Sequence, residues 1–265
     1  MVDYDPRDAA AALLDAYRSG VPIAPLTETV PGLSIEQAYG IQLAQVEHWK
    51  NAGHVIKGHK VGLTSRAMQL QLGVDQPDYG HLREDMFHLD SAPVDLGAFI
   101  APKVEPEISF VLKRPLAGPG VTVAEAISAV DYAIASLEII DSRIADWRIT
   151  LADTIADNAS SGGVVLGSRP VALQDLDLPR TGCNLYRNGQ VVGTGAGGAV
   201  LGSPINALVW LANTLGQLGV KLEAGSVVMP GSVCAAVPVA AGDTVSAEFA
   251  GLGLVTTYFE SEQKR

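Results

Sequence analysis

Glu105 and Glu107 stand one residue apart in the run Lys103-Val-Glu-Pro-Glu-Ile-Ser-Phe-Val-Leu112. The run reads as a β-strand, whose side chains alternate between faces, so both carboxylates point the same way. Two carboxylates ~4 Å apart repel by ~4 kcal/mol at an effective dielectric of ~20. Such a pair needs a cation, or one member must stay protonated. A divalent metal is one solution, and a solvated strand face neutralised by Lys103 is the other. Glu138 is a third acid in an unusual place, inside the apolar stretch 133–140, where charge is costly unless it is paired or coordinates a metal. It reads as a buried partner for Lys60 or Arg143, or as a further ligand. Three carboxylates with no Cys or His beside them select a hard cation such as Mg2+ or Mn2+, not zinc.

Other constellations are less pointed. Lys60 lies in an alternating run with Gly58 and Gly62 on its own face, which leaves room beside the ammonium for a ligand. Asp157-Asn-Ala-Ser-Ser-Gly162 offers an acid, an amide and hydroxyls to a small polar substrate. It reads equally as a turn held by local side-chain to backbone hydrogen bonds. Gly193-Thr-Gly-Ala-Gly-Gly198 contains no Walker lysine and departs from the dinucleotide fingerprint, so it reads as strand and bulge geometry. The five histidines show no zinc-type spacing, and there is no Gly-x-Ser-x-Gly elbow for serine-hydrolase chemistry.

The elements that must position these groups follow from periodicity and punctuation. Residues 8–17 are rich in Ala and Leu and read as a helix that Gly20 and Pro22 stop. Ser34 with Gln37 spells a capping box for a second helix, which Gly53 ends. From His54 the pattern turns to period two, a strand, and residues 73–85 read as a polar connection. Pro106 predicts that the glutamate strand is an edge or bulged strand. Thr122 and Glu125 form a second capping box, opening a helix through about residue 133, with a strand over 136–144. Residues 147–155 are ambiguous between helix and strand. Asn188-Gly189 predicts a tight hairpin between strands at 183–187 and 190–193. Ser203-Pro204 and Gly219 bracket a helix over 205–218, and short strands fill the chain after residue 226. Helices early and strands late make an α+β fold in one domain. Residues 1–53 form its helical N-terminal region and 54–265 its β-rich core.

Composition narrows the partners. Against 18 basic residues stand 29 acids, which argues against nucleic acid or an anionic membrane surface and suits a protein that holds a cation. No apolar run approaches the ~20 residues of a membrane span. The start Met-Val-Asp-Tyr-Asp-Pro lacks the apolar core of a signal peptide. Cys183 and Cys234 form no framework and no metal-type spacing. The expectation is a cytoplasmic protein.

Six segments occur in order: Lys60-Val-Gly-Leu-Thr64, Gln71-Leu-Gly-Val-Asp-Gln-Pro-Asp-Tyr-Gly80, Lys103-Val-Glu-Pro-Glu107, Leu137-Glu-Ile-Ile-Asp-Ser-Arg143, Asp153-Thr-Ile-Ala-Asp-Asn-Ala-Ser160 and Leu201-Gly-Ser-Pro204. Together they resemble the 2-hydroxypentadienoate (2-keto-4-pentenoate) hydratases and the related 4-oxalocrotonate decarboxylases of the fumarylacetoacetase-like superfamily. The likeness runs from about Ser34 to Phe259. It implies a mixed β-roll core flanked by helices, with Glu105, Glu107 and Glu138 as ligands of one Mg2+ or Mn2+. It implies Lys60, Asp78 and Asp157 as catalytic groups, and Ser160 and Ser232 as substrate contacts. The substrate class would be a small 2-oxo acid or its dienol from aromatic or steroid ring degradation. Val74-Asp-Gln-Pro-Asp78 and Met229-Pro-Gly-Ser232 are similar to hydratase forms, whereas Ala235-Ala-Val-Pro238 looks more like the decarboxylases. The resemblance therefore implies a hydro-lyase, with decarboxylation and acylpyruvate-type C–C hydrolysis as alternatives. It also implies a homo-oligomer able to associate with a pathway decarboxylase or aldolase.

Overall fold

Asp5 accepts a hydrogen bond from the main-chain N–H of Arg7 and opens α1 (Pro6–Ser19), which ends where Gly20 turns left-handed. The computed structural model describes residues 5–260. Residues 1–4, with most of the acidic start, and 261–265 lie outside that description. A single turn, α2 (Leu26–Thr29), precedes α3 (Ile35–Asn51), and the capping box of Ser34 and Gln37 forms as its spacing predicts. Leu13, Leu26 and Ile41 of these helices pack with Ile155 into a small core of their own.

The chain then enters β1 (Ile56–Gly62), α4 (Arg66–Leu72) and β2 (Asp78–Arg83). The strand β2 falls where sequence indicated a connection. Its Asp78-Tyr-Gly-His start carries two residues that strands usually avoid, and tertiary pairing overrides that preference. Short β3 (Phe87–Leu89) and β4 (Pro93–Asp95) lead to β5 (Lys103–Leu112). The second capping box opens α5 (Val123–Ala129), but the helix stops at once and β6 (Val130–Ile140) begins at Val130 instead of residue 136. Val130, Tyr132 and Ile134 have the branched and aromatic side chains that favour the sheet. Thr150 and Asp153 cap α6 (Leu151–Ala156), which settles the ambiguous segment as helix. The remaining elements are β7 (Ser161–Leu166), β8 (Gly182–Arg187), β9 (Gln190–Ala196), α7 (Pro204–Gln217), β10 (Val227–Met229), β11 (Val237–Pro238), β12 (Thr244–Phe249) and β13 (Gly253–Glu260). Asn188 and Gly189 take φ of 52° and 76° in the expected β8–β9 hairpin.

Two mixed sheets result. The larger runs β2-β1-β10-β5-β6-β7-β3 with β11 added to β5, and the smaller runs β4-β13-β12-β8-β9. In the first, β1 pairs in parallel with β10, and β3 with β7. The large sheet curls until β2 reaches the chain just ahead of β7. There the Asn158 carboxamide accepts from His81 N–H at 2.8 Å and donates to His81 C=O at 2.9 Å.

The central place of β5 corrects the edge strand expected from Pro106. β10 pairs with Phe110 and Val111, and β11 with Lys103 and Val104. Pro106 falls in the interval between them. Its carbonyl accepts from Val233 N–H at 3.1 Å, and a strand residue's N and O face the same neighbour. The missing donor therefore points at a loop, where no ladder bond is lost.

Val104, Ile108, Phe110, Leu137 and Ile139 form one face of β5 and β6 and pack with Phe249, Val255 and Phe259 of the smaller sheet. The 21-residue stretch Gly197–Gln217 is long and apolar enough by length and composition to cross a membrane, contrary to the expectation that no run approaches that length. In the fold its Ile205, Leu208, Leu211 and Leu215 are buried in the same core. Leu208→Ala should cost about 3 kcal/mol, read as a lower urea midpoint at unchanged m-value. A loss under about 1 kcal/mol would show that α7 is not held by this packing.

Candidate metal centre

The antiparallel register of β5 and β6 sets Glu105 directly opposite Glu138 and Glu107 opposite Ser136. Alternation places all three carboxylates on the face away from Val104, Ile108, Leu137 and Ile139. One oxygen from each lies within 4.8 Å of the others. Glu107 and Glu138 are 0% and 1% exposed, and Glu105 is half-buried.

Few groups of the chain answer this charge. Lys60 Nζ approaches Glu138 Oε1 at 3.4 Å, an ion-pair contact without hydrogen-bond geometry, and both Glu138 oxygens lack a hydrogen-bond partner among the described residues. Gly231 N–H donates to Glu107 Oε2 at 2.8 Å, and Glu107 Oε1 has no partner. A buried carboxylate left unpaired costs several kcal/mol. Three orphaned oxygens from two glutamates, with Glu105 beside them, form an all-oxygen donor set that fits a hard dication. Without one, burial pushes all three carboxyls up. Burial and then Glu138 raise Glu105 to about 7, against the pull of Lys60. Burial, Glu138 and Glu105 drive Glu107 well above the usual carboxyl range. Glu138 is also raised by burial, with Lys60 opposing.

A second group, His54, Glu84 and Asp85, also converges within 4.8 Å, but its atoms are already used. Glu84 accepts from Val55 N–H and contacts the His54 ring, and Asp85 takes a double hydrogen bond from Arg83. It has the partners that the glutamate trio lacks.

Lys60 and Asp78 share the face of the trio, since β1 and β2 pair Lys60 with Gly80 and Gly62 with Asp78. A Cβ on Gly62 would strike Asp78 Oδ1 and lie 3.3 Å from Lys60 Nζ. The missing side chain is what lets acid and ammonium converge. Burial alone would pull Lys60 down, but Glu138, Asp78, Glu105 and Glu107 together hold it above the usual lysine value. Burial raises Asp78 against the pull of Lys60, and its Oδ1 has no hydrogen-bond partner.

The other expected residues are placed differently. Asp157 is not a free acid: its Oδ1 accepts from Arg143 Nε at 2.6 Å and its Oδ2 from Arg143 N–H at 3.0 Å. Burial raises it to about 6 while Arg143 opposes. Both oxygens hold the chain in place. Ser160 Oγ lies 3.2 Å from Thr154 Oγ1, and Thr154 helps to hold the Asp78 carboxyl down against burial. Ser232 is bridged to Glu107 through the main chain, while its hydroxyl donates to Cys234 C=O at 2.6 Å.

Sequence reasoning missed Thr154, which sits in the segment of ambiguous pattern. It also gave no role to Gly231, which entered only as part of Met229-Pro-Gly-Ser232. Gly231 takes φ 121° and a Cβ there would strike Thr64 Oγ1, so only glycine brings that N–H to Glu107.

Residues 37–259 match the fumarylacetoacetate (FAA) hydrolase C-terminal family. A 2-keto-4-pentenoate hydratase of Paraburkholderia xenovorans (strain LB400) is 47% identical over 256 residues, 97% of this chain and 95% of that protein. Among solved structures, 4-oxalocrotonate decarboxylase from Pseudomonas putida G7, complexed with magnesium and adipate, is similar at a TM-score of 0.93 and 38% identity. That match covers 96% of this chain and 97% of the other. The same decarboxylase complexed with calcium and acetate matches at a TM-score of 0.91 and 38% identity, over 96% of each chain. These likenesses agree with the mixed α+β roll described above.

Two outcomes follow from the geometry. Gly231→Ala should weaken Mg2+ affinity at least about tenfold in calorimetry, because the strained loop withdraws its N–H from Glu107; unchanged affinity would separate the loop from the site. The raised carboxyls bind more protons folded than unfolded, so without metal they lower stability as pH rises from about 4.5 through about 7. The Tm increment from added Mg2+ should therefore be larger at about pH 8 than at about pH 5.5. An equal increment at both would contradict a proton-linked site.

Proposed function

This chain belongs to the fumarylacetoacetate hydrolase family, and from that premise we propose that it is a metal-dependent hydro-lyase. It adds water to 2-keto-4-pentenoate, in its dienol form 2-hydroxypenta-2,4-dienoate, to give 4-hydroxy-2-oxopentanoate. The observation that carries this reading is the set of buried, unpartnered carboxylate oxygens of Glu107 and Glu138 beside the Lys60 ammonium. The 47% identity to a hydratase of that substrate supports the choice of reaction. The residues that we propose as ligands of Mg2+ or Mn2+ are Glu105, Glu107 and Glu138. When bound, such an ion supplies a Lewis acid for the charge that develops on a 2-oxo acid as it enolises.

The chain's own groups do the rest. Lys60, kept charged by the acids around it, stabilises negative charge at the C1/C2 end of the substrate. Conjugation with the C2 carbonyl makes C4 electrophilic once a proton has reached C5. Asp78, with a raised carboxyl and an unpartnered oxygen, carries a proton or orients the water that adds at C4. Reprotonation at C3 completes the hydration. Ser160 and Ser232 remain our proposed substrate contacts.

The same electron sink would serve decarboxylation, and the 0.93 TM-score to a decarboxylase makes that the second reading. A dicarboxylate, however, carries a distal charge that wants a cation. Lys103 rests 4.1 Å over the Trp147 ring, and Arg143 is taken up by Asp157 and Asp141. The identity of 47% to a 2-keto-4-pentenoate hydratase, against 38% to the decarboxylase, supports the monocarboxylate. The acidic composition and two unpaired thiols support a cytoplasmic location. Homo-oligomerisation and association with a decarboxylase or aldolase rest on the family resemblance.

The purified chain with Mg2+ should bleach the ultraviolet band of 2-hydroxypenta-2,4-dienoate and yield 4-hydroxy-2-oxopentanoate. Glu107→Gln should lose roughly a thousandfold or more in kcat/KM together with Mg2+ binding, and Lys60→Met roughly a hundredfold with Mg2+ binding kept. Faster consumption of 4-oxalocrotonate with release of CO2 would give the assignment to the decarboxylase reading. Full activity in excess chelator would remove the metal.

A further inference from the structure

Arg143 is the bulkiest side chain that the fold buries completely, 1% exposed, and the reaction just described gives it no task. Its guanidinium closes around the segment between α6 and β7. Nε donates to Asp157 Oδ1 at 2.6 Å, Nη2 to Asp157 C=O at 2.9 Å and Nη1 to Ser161 C=O at 3.0 Å. The Tyr17 ring lies 4.2 Å from Cζ, and Asp141 Oδ2 lies 3.7 Å from Nη1. One side chain thus grips both ends of a five-residue turn.

Between those ends Asn158, Ala159 and Ser160 take φ of 51°, 52° and 55°. Three successive non-glycine residues in left-handed backbone are disfavoured, and such strain persists only where the surroundings over-determine it. The turn has two outputs. The Asn158 carboxamide clamps the main chain of His81 in β2, and the Asn158 carbonyl rests against Gly80 while accepting from Ser161 Oγ at 2.7 Å. Ser160 Oγ meets Thr154 Oγ1 at 3.2 Å, and Thr154 opposes the rise of the Asp78 carboxyl. Both routes end at Asp78, one through the strand that carries it and one through hydroxyls.

We propose that Arg143, acting through Asp157 and the left-handed turn of Asn158, Ala159 and Ser160, is a positioning residue that sets Asp78 against Lys60. Thr154 is the hydroxyl that passes this restraint to the acid. The proposal rests on the hydratase reading, in which Asp78 handles the proton or the water. It gives Arg143 no part in holding the metal, and it makes Asp157 act through Arg143 and not on the substrate.

The test is a double-mutant cycle on the full chain, using Arg143→Met, Thr154→Val and their combination. Each is assayed with 2-hydroxypenta-2,4-dienoate at saturating Mg2+, with Mg2+ affinity from calorimetry and folding from circular dichroism. Each single variant should lose about tenfold to a hundredfold in kcat while KM and Mg2+ affinity stay within about twofold. The combination should be no slower than the slower single variant, because both changes cut one line of restraint. Losses that multiply would overturn the proposal. A fall in Mg2+ affinity that tracks kcat would do so too, since general loosening acts that way. If Arg143→Met does not fold, Asn158→Ala takes its place, with the same two results deciding. A wild-type chain that binds Mg2+ but leaves this substrate untouched removes the hydratase reading and this proposal with it. An active wild type with a multiplicative cycle removes only the role of Arg143.

Discussion

Like charge crowded out of water governs this molecule. Three carboxylates within 4.8 Å of one another can coexist only by taking up protons or by sharing a cation of higher charge. Lys60 offsets one unit at most, and it also faces Asp78. The backbone gives the acids no means of escape. Glu105 and Glu138 are fixed opposite each other by a ladder that runs ten residues along β5, so separating them would mean breaking the centre of the larger sheet. The conflict is therefore maintained by the centre of the larger sheet, and a dication held there would relieve it.

The surrounding architecture keeps competing partners away. Pro106 removes a donor between the two glutamates of β5, and the loop that passes it returns a single N–H, from Gly231, to Glu107. Gly62 contributes no side chain where Asp78 and Lys60 must meet. Arg143, the one guanidinium wholly enclosed among the described residues, is directed to Asp157 and not to the trio. Strong pairing at one acid and its denial at three others divide the buried charges into those that hold the chain and those left open to chemistry.

Much of this was legible in the chain. Period-two alternation put Glu105 and Glu107 on one face, and an acid inside an apolar run marked Glu138 as unusual. The glycines beside Lys60 announced an open flank. Register and distant pairing were not legible. Nothing near Pro106 says that its neighbouring strand is interrupted where the proline needs it to be. Asp78 begins a strand whose composition resembles a loop, so β2 stayed hidden although its partner β1 was legible. Asp157 looked available because its neighbours are small and polar. Its actual partner lies in the chain that leaves β6, and only the reversal through α6 brings the two together.

The short strand β10 has a consequence for the order of assembly. It alone joins β1 to β5 in the larger sheet, and it occupies Val227–Met229, far along the chain from the residues it unites. A nascent polypeptide still short of that point can zip β5 onto β6 and β1 onto β2, but the two pairs then meet only around the clamp of Asn158 on His81. Lys60 and the glutamates are then not yet held in one continuous ladder. Such long-range closure is the slow kind, so the register that sets Lys60 beside Glu138 is completed late.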